Sequence, residues 1–155
     1  GVAPGAWIGI FGTNLSPTTR TWDNAIQGNR LPTSLDGVSV RINGRPAVVY
    51  SVSPGQVNVL APLDDSPEGD VEIVLSNPNG ASPPVRIRKQ NFLPAFYAPF
   101  GQGQDLFVTA VALDGTLVGR PGTDPRVRRG ARPGEIIQVY GTGFGRTNPQ
   151  VPSDT

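Results

Sequence analysis

The stretch Gly37-Val38-Ser39-Val40-Arg41-Ile42-Asn43-Gly44-Arg45-Pro46-Ala47-Val48-Val49-Tyr50 reads as a strand, a tight turn and a second strand. Val38, Val40 and Ile42 alternate with Ser39 and Arg41. Period two sends successive side chains to opposite faces of a sheet, so one face is aliphatic and the other polar. Asn43-Gly44 is the strongest short hairpin signal, because a two-residue turn of the right twist needs positive φ at both central positions. The spacing predicts strands at about 37–42 and 46–50.

The same alternation recurs on both sides. Ile8 and Ile10 stand between Trp7, Gly9 and Phe11, and Val57 and Val59 between Gln56 and Asn58. Val71, Ile73 and Leu75 follow, then Val85 and Ile87 between arginines. Turn residues separate the runs at Ser53-Pro54-Gly55, at Asp64 to Asp70 and at Asn77-Pro78-Asn79-Gly80. Strands of five to seven residues at such spacing predict an all-β, antiparallel β-sandwich. The long connection 14–34 is expected to hold at most a short helical turn at 22–26. A further strand is expected over 105–113, followed by the turn Asp114-Gly115.

Composition narrows the chemistry. The 155 residues include 20 Gly and 17 Pro, which disfavours long helices. There is no Cys, His or Met, so disulfides, His- or Cys-based metal sites and histidine triads are excluded by inventory. Thirteen basic and 12 acidic residues leave a net charge of +1, which gives no global field toward nucleic acid. No run of about 20 apolar residues is present to span a bilayer as a helix. The opening Gly1-Val2-Ala3-Pro4 is read as that of a mature or excised piece of something longer. Twelve of the 13 cations are Arg, with Lys89 the single lysine.

The chain also repeats itself. Pro4-Gly5-Ala6-Trp7-Ile8-Gly9-Ile10-Phe11-Gly12-Thr13-Asn14-Leu15 aligns without gaps on Pro133-Gly134-Glu135-Ile136-Ile137-Gln138-Val139-Tyr140-Gly141-Thr142-Gly143-Phe144. A Pro-Gly turn launches each strand and Gly-Thr ends it. This predicts a first module at 3–92, a connecting β segment at 93–130, and at 131–155 the opening strand of a second, truncated module. Such a strand has unpaired edges, and Glu135, Ile136, Ile137, Gln138, Val139 and Tyr140 are the expected strand-pairing residues.

Ala3-Pro4-Gly5 through Leu15, Leu31-Pro32-Thr33-Ser34-Leu35-Asp36-Gly37-Val38, Asn43-Gly44-Arg45-Pro46-Ala47 and Tyr50-Ser51-Val52-Ser53-Pro54-Gly55-Gln56-Val57-Asn58-Val59 resemble the Solibacter-type C-terminal repeat of secreted bacterial proteins. Arg132 to Gly145 resembles the start of that family's second half. More distantly the pattern is similar to IPT/TIG domains. The resemblance implies an immunoglobulin-like β-sandwich, extracellular or at the cell surface, without catalysis, cofactor or assigned site residues.

Four groups of residues are candidates for chemistry. Asp64, Asp65, Glu68 and Asp70 offer the hard oxygen ligands calcium takes, but their spacing misses the calcium-loop pattern, and a solvated turn is the preferred reading. Arg126, Arg128 and Arg129, within the arginine-rich stretch 120–132, could meet a polyanion, against the plainer reading of a solvated linker. Trp7, Trp22, Tyr50, Phe96, Tyr97 and Phe100 could form a coplanar carbohydrate platform, against core packing as the preferred reading. Lys89 near Asn91 suggests an intramolecular amide cross-link less well than it suggests an ordinary surface lysine. The twelve acids are scattered and no nucleophile has a base, so catalysis has no support. The expected function is a non-enzymatic structural or interaction module, with other modules or copies of itself as partners in spacing, adhesion or filament assembly. The alternative is a carbohydrate-binding accessory module of a secreted hydrolase.

Overall fold

The computed structural model describes residues 1–98, 100–102, 105–108, 110–149 and 151, and for 100–102, 105 and 106 the backbone alone. Among these residues there is no α-helix, and none long and apolar enough to cross a membrane. The chain divides into two units: Gly1–Leu93 with the residues from Gly143 on, and Pro94–Thr142.

The first unit is an immunoglobulin-like β-sandwich. Its strands are β1 (Trp7–Phe11), β2 (Arg20–Thr21), β3 (Ser34–Leu35), β4 (Val38–Ile42), β5 (Arg45–Pro46), β6 (Val48–Val52), β7 (Gln56–Leu60), β8 (Gly69–Asn77), β9 (Gly80–Ala81) and β10 (Val85–Lys89). One sheet has the order β1-β7-β6-β2, the other β10-β8-β4-β3, with β5 added to β4 and β9 to β8. Every strand pairing is antiparallel.

The inward rows are those the alternation marks. Val38, Val40 and Ile42 of β4 and Val71 and Leu75 of β8 meet Val49, Val52, Val57 and Val59 of the facing sheet. Ile8 and Ile10 of β1 pack on the same cluster. Branching at Cβ stiffens valine and suits it to a pleated, half-buried surface. Asn43 (φ 51°) and Gly44 (φ 71°) both adopt the left-handed conformation that the hairpin requires. A second hairpin of the same kind joins β3 to β4 through Asp36 (φ 48°) and Gly37 (φ 78°).

The first residues cross between the sheets. Val2 bridges to Lys89 in parallel, donating its N–H to the Arg88 carbonyl and accepting from the Gln90 N–H, both at 2.9 Å. The Pro4-Gly5 turn then redirects the chain into β1, where Gly5 N–H donates to the Ala61 carbonyl at 3.2 Å.

The second unit contains β11 (Ala95–Phe96), β12 (Phe100–Gln102), β13 (Asp105–Phe107), β14 (Ala110–Ala112), β15 (Leu117–Val118), β16 (Ile137–Val139) and β17 (Gly141–Thr142). They form a β11-β17 pair, a β12-β13 pair and a sheet of order β15-β14-β16. Among its described residues the buried ones are small: Ala110, Ala112, Val118 and Val127.

One expectation is corrected. The strand over 105–113 is two strands in different sheets, β13 pairing β12 and β14 pairing β15 and β16; residue 109 lies outside the described residues. The segment 22–26 holds a single turn, closed by Ala25 N–H to Trp22 C=O at 2.7 Å, within the expectation of at most a short helical turn. The two contact-defined units run across the expected segments 93–130 and 131–155. The strand expected to open a second module shares a sheet with β14, so 94–142 cohere. Residues from Gly143 on join the first unit, because Leu93 N–H donates to Gly143 C=O at 2.8 Å and Arg146 pairs with Asp65.

Both tryptophans lie in the first unit, so their fluorescence reports its unfolding alone. Val57→Ala leaves a cavity in the valine interior and is expected to cost about 2 kcal/mol in urea denaturation. Val85, 59% exposed on β10, is the control, and Val85→Ala should cost less than about 0.5 kcal/mol. Equal losses would contradict this assignment of the interior.

Candidate functional site

The outward face of the β1-β7-β6-β2 sheet carries the most differentiated surface of the first unit. Register sets its rows: Trp7 lies opposite Leu60, Gly9 opposite Asn58 and Phe11 opposite Gln56. Asn58 lies opposite Ser51, and Ser51 opposite Thr21. A bulge between Val49 and Ser51 inserts Tyr50 and turns its ring to this face. Trp7, Trp22 and Tyr50 meet edge to face. Tyr50 lies 5.5 Å from Trp7 and 5.0 Å from Trp22 by ring centroid, with interplanar angles of 75° and 87°. Such geometry satisfies the ring quadrupoles and fixes all three orientations. Trp7 is 45% exposed and Tyr50 38%, while Trp22 is half-buried against the interior.

Beside the rings runs a ladder of neutral polar groups. Gln56 Nε2 donates to Asn58 Oδ1 at 2.9 Å, and Asn58 Nδ2 donates to Ser51 Oγ at 2.9 Å. Phe11, 74% exposed, folds toward Gly9. A Cβ on Gly9 would lie 3.1 Å from its Cε2 and 3.4 Å from Asn58 Oδ1. The absence of a side chain at Gly9 therefore lets the ring reach the ladder.

The four acids of the 64–70 loop are drawn to separate partners. Asp64 is buried; it accepts from Asn43 Nδ2 at 2.7 Å, Ser66 N–H at 2.9 Å and Ser66 Oγ at 3.0 Å, and faces Arg45 Nε at 3.5 Å. Burial pushes its carboxyl up, but the bonds from Asn43 and Ser66 outweigh this and hold it below the usual carboxylate value. Asp65 pairs with Arg146, and Glu68 Oε1 accepts from the Asn91 N–H at 2.8 Å. Asp70 lines an open depression of about 320 Å³ with Asn43, Glu72 and Arg86. Among the described residues no group of three such ligands gathers for a metal. Lys89, expected at the surface, is buried; its Nζ donates to the Ser66 carbonyl at 2.5 Å, beneath the Asp64 loop. A buried ammonium needs such acceptors, and no buried side-chain polar atom among the described residues lacks a partner.

The sequence model of the IPT/TIG domain matches residues 8–88, just over half of the 155-residue chain and the body of the sandwich. The chain belongs to the IPT/TIG domain family. Its members are immunoglobulin-like interaction modules that are in general non-catalytic. No curated protein and no solved structure matches the chain at a significant level.

In this IPT/TIG protein the remaining candidates fall in the second unit. Phe96 and Tyr97 stand exposed there, while the Phe100 side chain lies outside the described residues. The core packing preferred for the aromatics fails for Trp7 and Tyr50, which stand on the outer face because valine fills the interior. The coplanar platform weighed against it is not formed by the crossed rings of the first unit. Among the arginines, Arg126 makes a forked pair with Asp124 at 2.9 and 3.1 Å, and Arg129 one with Glu135 at 2.8 and 2.5 Å. Arg128 is exposed. The strand-pairing residues divide: Ile137, Gln138 and Val139 pair with Ala112, Val111 and Ala110, and Tyr140 C=O accepts from Tyr97 N–H at 2.8 Å. Ile136 precedes the pairing and is 67% exposed.

Glu135 is the member of this group the sequence reading left without an electrostatic role. The Arg129 fork and the Arg132 N–H at 2.9 Å lower its carboxyl from the ordinary 4.5 to about 2. A folded value below the unfolded one stabilises at pH above the unfolded value. That stabilisation is lost as pH falls from about 4.5 to about 2. Titration of the Glu135 carboxyl by NMR should give a midpoint near 2, and Arg129→Met should return it toward 4.5. A midpoint near 4.5 in the unaltered protein would show that the fork does not persist in solution.

Proposed function

We propose that this IPT/TIG protein is a spacing and interaction module of a larger secreted or cell-surface protein, kin to the Solibacter-type repeats, and that it meets neighbouring modules or its own copies through the strand at 136–140. The observation that supports this is a contrast between the two copies of the internal repeat. Ile8 and Ile10 of the first copy pack on the sandwich interior. Their counterparts Ile137 and Val139 stand exposed, as do Ile136 and Tyr140. A five-residue stretch with four exposed apolar side chains at the end strand of a sheet is a surface that strand addition can bury. Such a module acts by geometry: the sandwich sets a fixed span, and the strand supplies the joint. A head-to-tail joint between copies extends into a filament unless its rotation closes.

Sedimentation velocity of the full chain over a wide concentration range tests the reading. Concentration-dependent association is expected, and Ile137→Lys with Val139→Lys should abolish it while leaving the tryptophan-reported unfolding of the first unit unchanged. A chain that stays monomeric throughout, or an association indifferent to these changes, would remove the strand as the joint.

A further inference from the structure

We infer that the outward face of the β1-β7-β6-β2 sheet is a binding site for a neutral, soluble saccharide, with a sugar ring against Trp7 or Phe11 and its hydroxyls on the Gln56-Asn58-Ser51 ladder. This rests on a different surface from the strand at 136–140 and stands or falls separately.

Three observations fix the ligand class. First, Trp7, Tyr50 and Phe11 are left out of the interior, whose buried cluster is aliphatic. Trp7 and Tyr50 are held in set orientations by edge-to-face contact and keep part of their surface in water. Rings so fixed lose little freedom when a flat apolar ligand face covers them.

Second, the polar groups between Trp7 and Phe11 are two amides and a hydroxyl, none ionised. The ladder uses one N–H of Gln56, one N–H of Asn58 and acceptor positions on Asn58 and Ser51. By inventory Gln56 keeps its Oε1 and one N–H, Asn58 one N–H, and Ser51 its hydroxyl proton. That mixture of donors and acceptors matches vicinal hydroxyls, each of which both donates and accepts. It offers an anion no countercharge and a cation no carboxylate. At the rim, Thr21 Oγ1 donates to Asp23, which holds that carboxylate to its neighbour.

Third, ring geometry decides between saccharide forms. Interplanar angles of 61°, 75° and 87° put the three rings across one another. A flat crystalline surface needs coplanar rings to touch several at once. Crossed rings beside a polar ladder suit a single, flexible glycan chain that presents one sugar ring to each aromatic face. Apolar walls with a few placed polar groups are the usual make-up of a ligand site.

Affinity electrophoresis and isothermal titration of the full chain test this with maltohexaose, laminarin and xylan as soluble neutral glycans. Heparin serves as the anionic comparison and microcrystalline cellulose as the flat one. Saturable binding of at least one soluble neutral glycan is expected, with quenching of tryptophan fluorescence. Asn58→Ala and Phe11→Ala should each weaken it by roughly tenfold, the loss of about one good contact. Phe11 is largely exposed, so its removal leaves the fold intact even if Trp7→Ala does not. Silence with all three glycans would overturn the proposal, as would retention on heparin or cellulose alone, or binding untouched by either substitution. Self-association abolished by Phe11→Arg, without glycan binding, would overturn it in favour of a protein partner for this face.

Discussion

The first unit depends on an interior built from small branched aliphatics. Seven of the thirteen buried residues that join the two sheets are valines on β4, β6, β7 and β8, and the cluster contains no aromatic ring. Close packing leaves few voids larger than a water molecule, so an interior cut to valine has no place for an indole. Immunoglobulin-type domains commonly bury a tryptophan between their sheets. Here Trp7 and Tyr50 lie on the outer face, with Trp22 reaching only part of the way in. The choice of core residue therefore dictates the surface: once valine fills the interior, the rings that β1 and β6 carry must face water or a partner.

That logic explains what the sequence could reveal. Period-two alternation is a property of each strand alone, so β1, β4, β6, β7 and β8 are legible from Ile8, Val38, Val49, Val57 and Val71 onward. Asn43-Gly44 is legible because its φ requirement is local, and Asp36-Gly37 carries the same signal. The aromatic trio is not legible, because it needs the β1–β7 and β6–β7 registers and a bulge that no local pattern announces. Buried Lys89 is hidden for a related reason. It ends β10 with the alternation of an edge strand, and only the return of the 64–66 loop places the Ser66 carbonyl at its tip. The second unit was least legible, since Ala110, Ala112 and Val118 make too small a core to leave a strong periodic mark.

The internal repeat survives as backbone geometry even where its environment has changed. Gly5 and Gly134 both take positive φ, at 68° and 78°, and each turn closes with a 3.1 Å bond, Ala6 to Ala3 and Glu135 to Arg132. At the far end Asn14 and Gly143 occupy equivalent positions and again both have positive φ, at 55° and 73°. Turns that impose such angles are conserved by local sterics, since few residues tolerate them. Pairing partners are not so constrained. The first copy runs unbroken along β7, while the second is shared between β14 and β11. The repeat thus specifies where a strand starts and stops, and the rest of the chain decides what it pairs with.

Arginine forks help to close the loops of this fold. Arg126 grips Asp124 and Arg129 grips Glu135 with two parallel bonds each, and Arg20 reaches Asp36 at 2.7 Å across a connection otherwise rich in turns. A planar fork fixes both distance and angle, which a lysine ammonium, free to rotate, cannot do. In a chain with no disulfide and few long strands, such forks supply orientation to segments that regular hydrogen-bond ladders do not reach. The single lysine sits where a fork would fail. Beneath the Asp64 loop the acceptor is a backbone carbonyl in a space lined by Ala3, Pro4, Ile42 and Pro62, which suits a slender stem with a compact head. Side-chain shape, rather than charge alone, separates the forked sites of Arg126 and Arg129 from the site of Lys89.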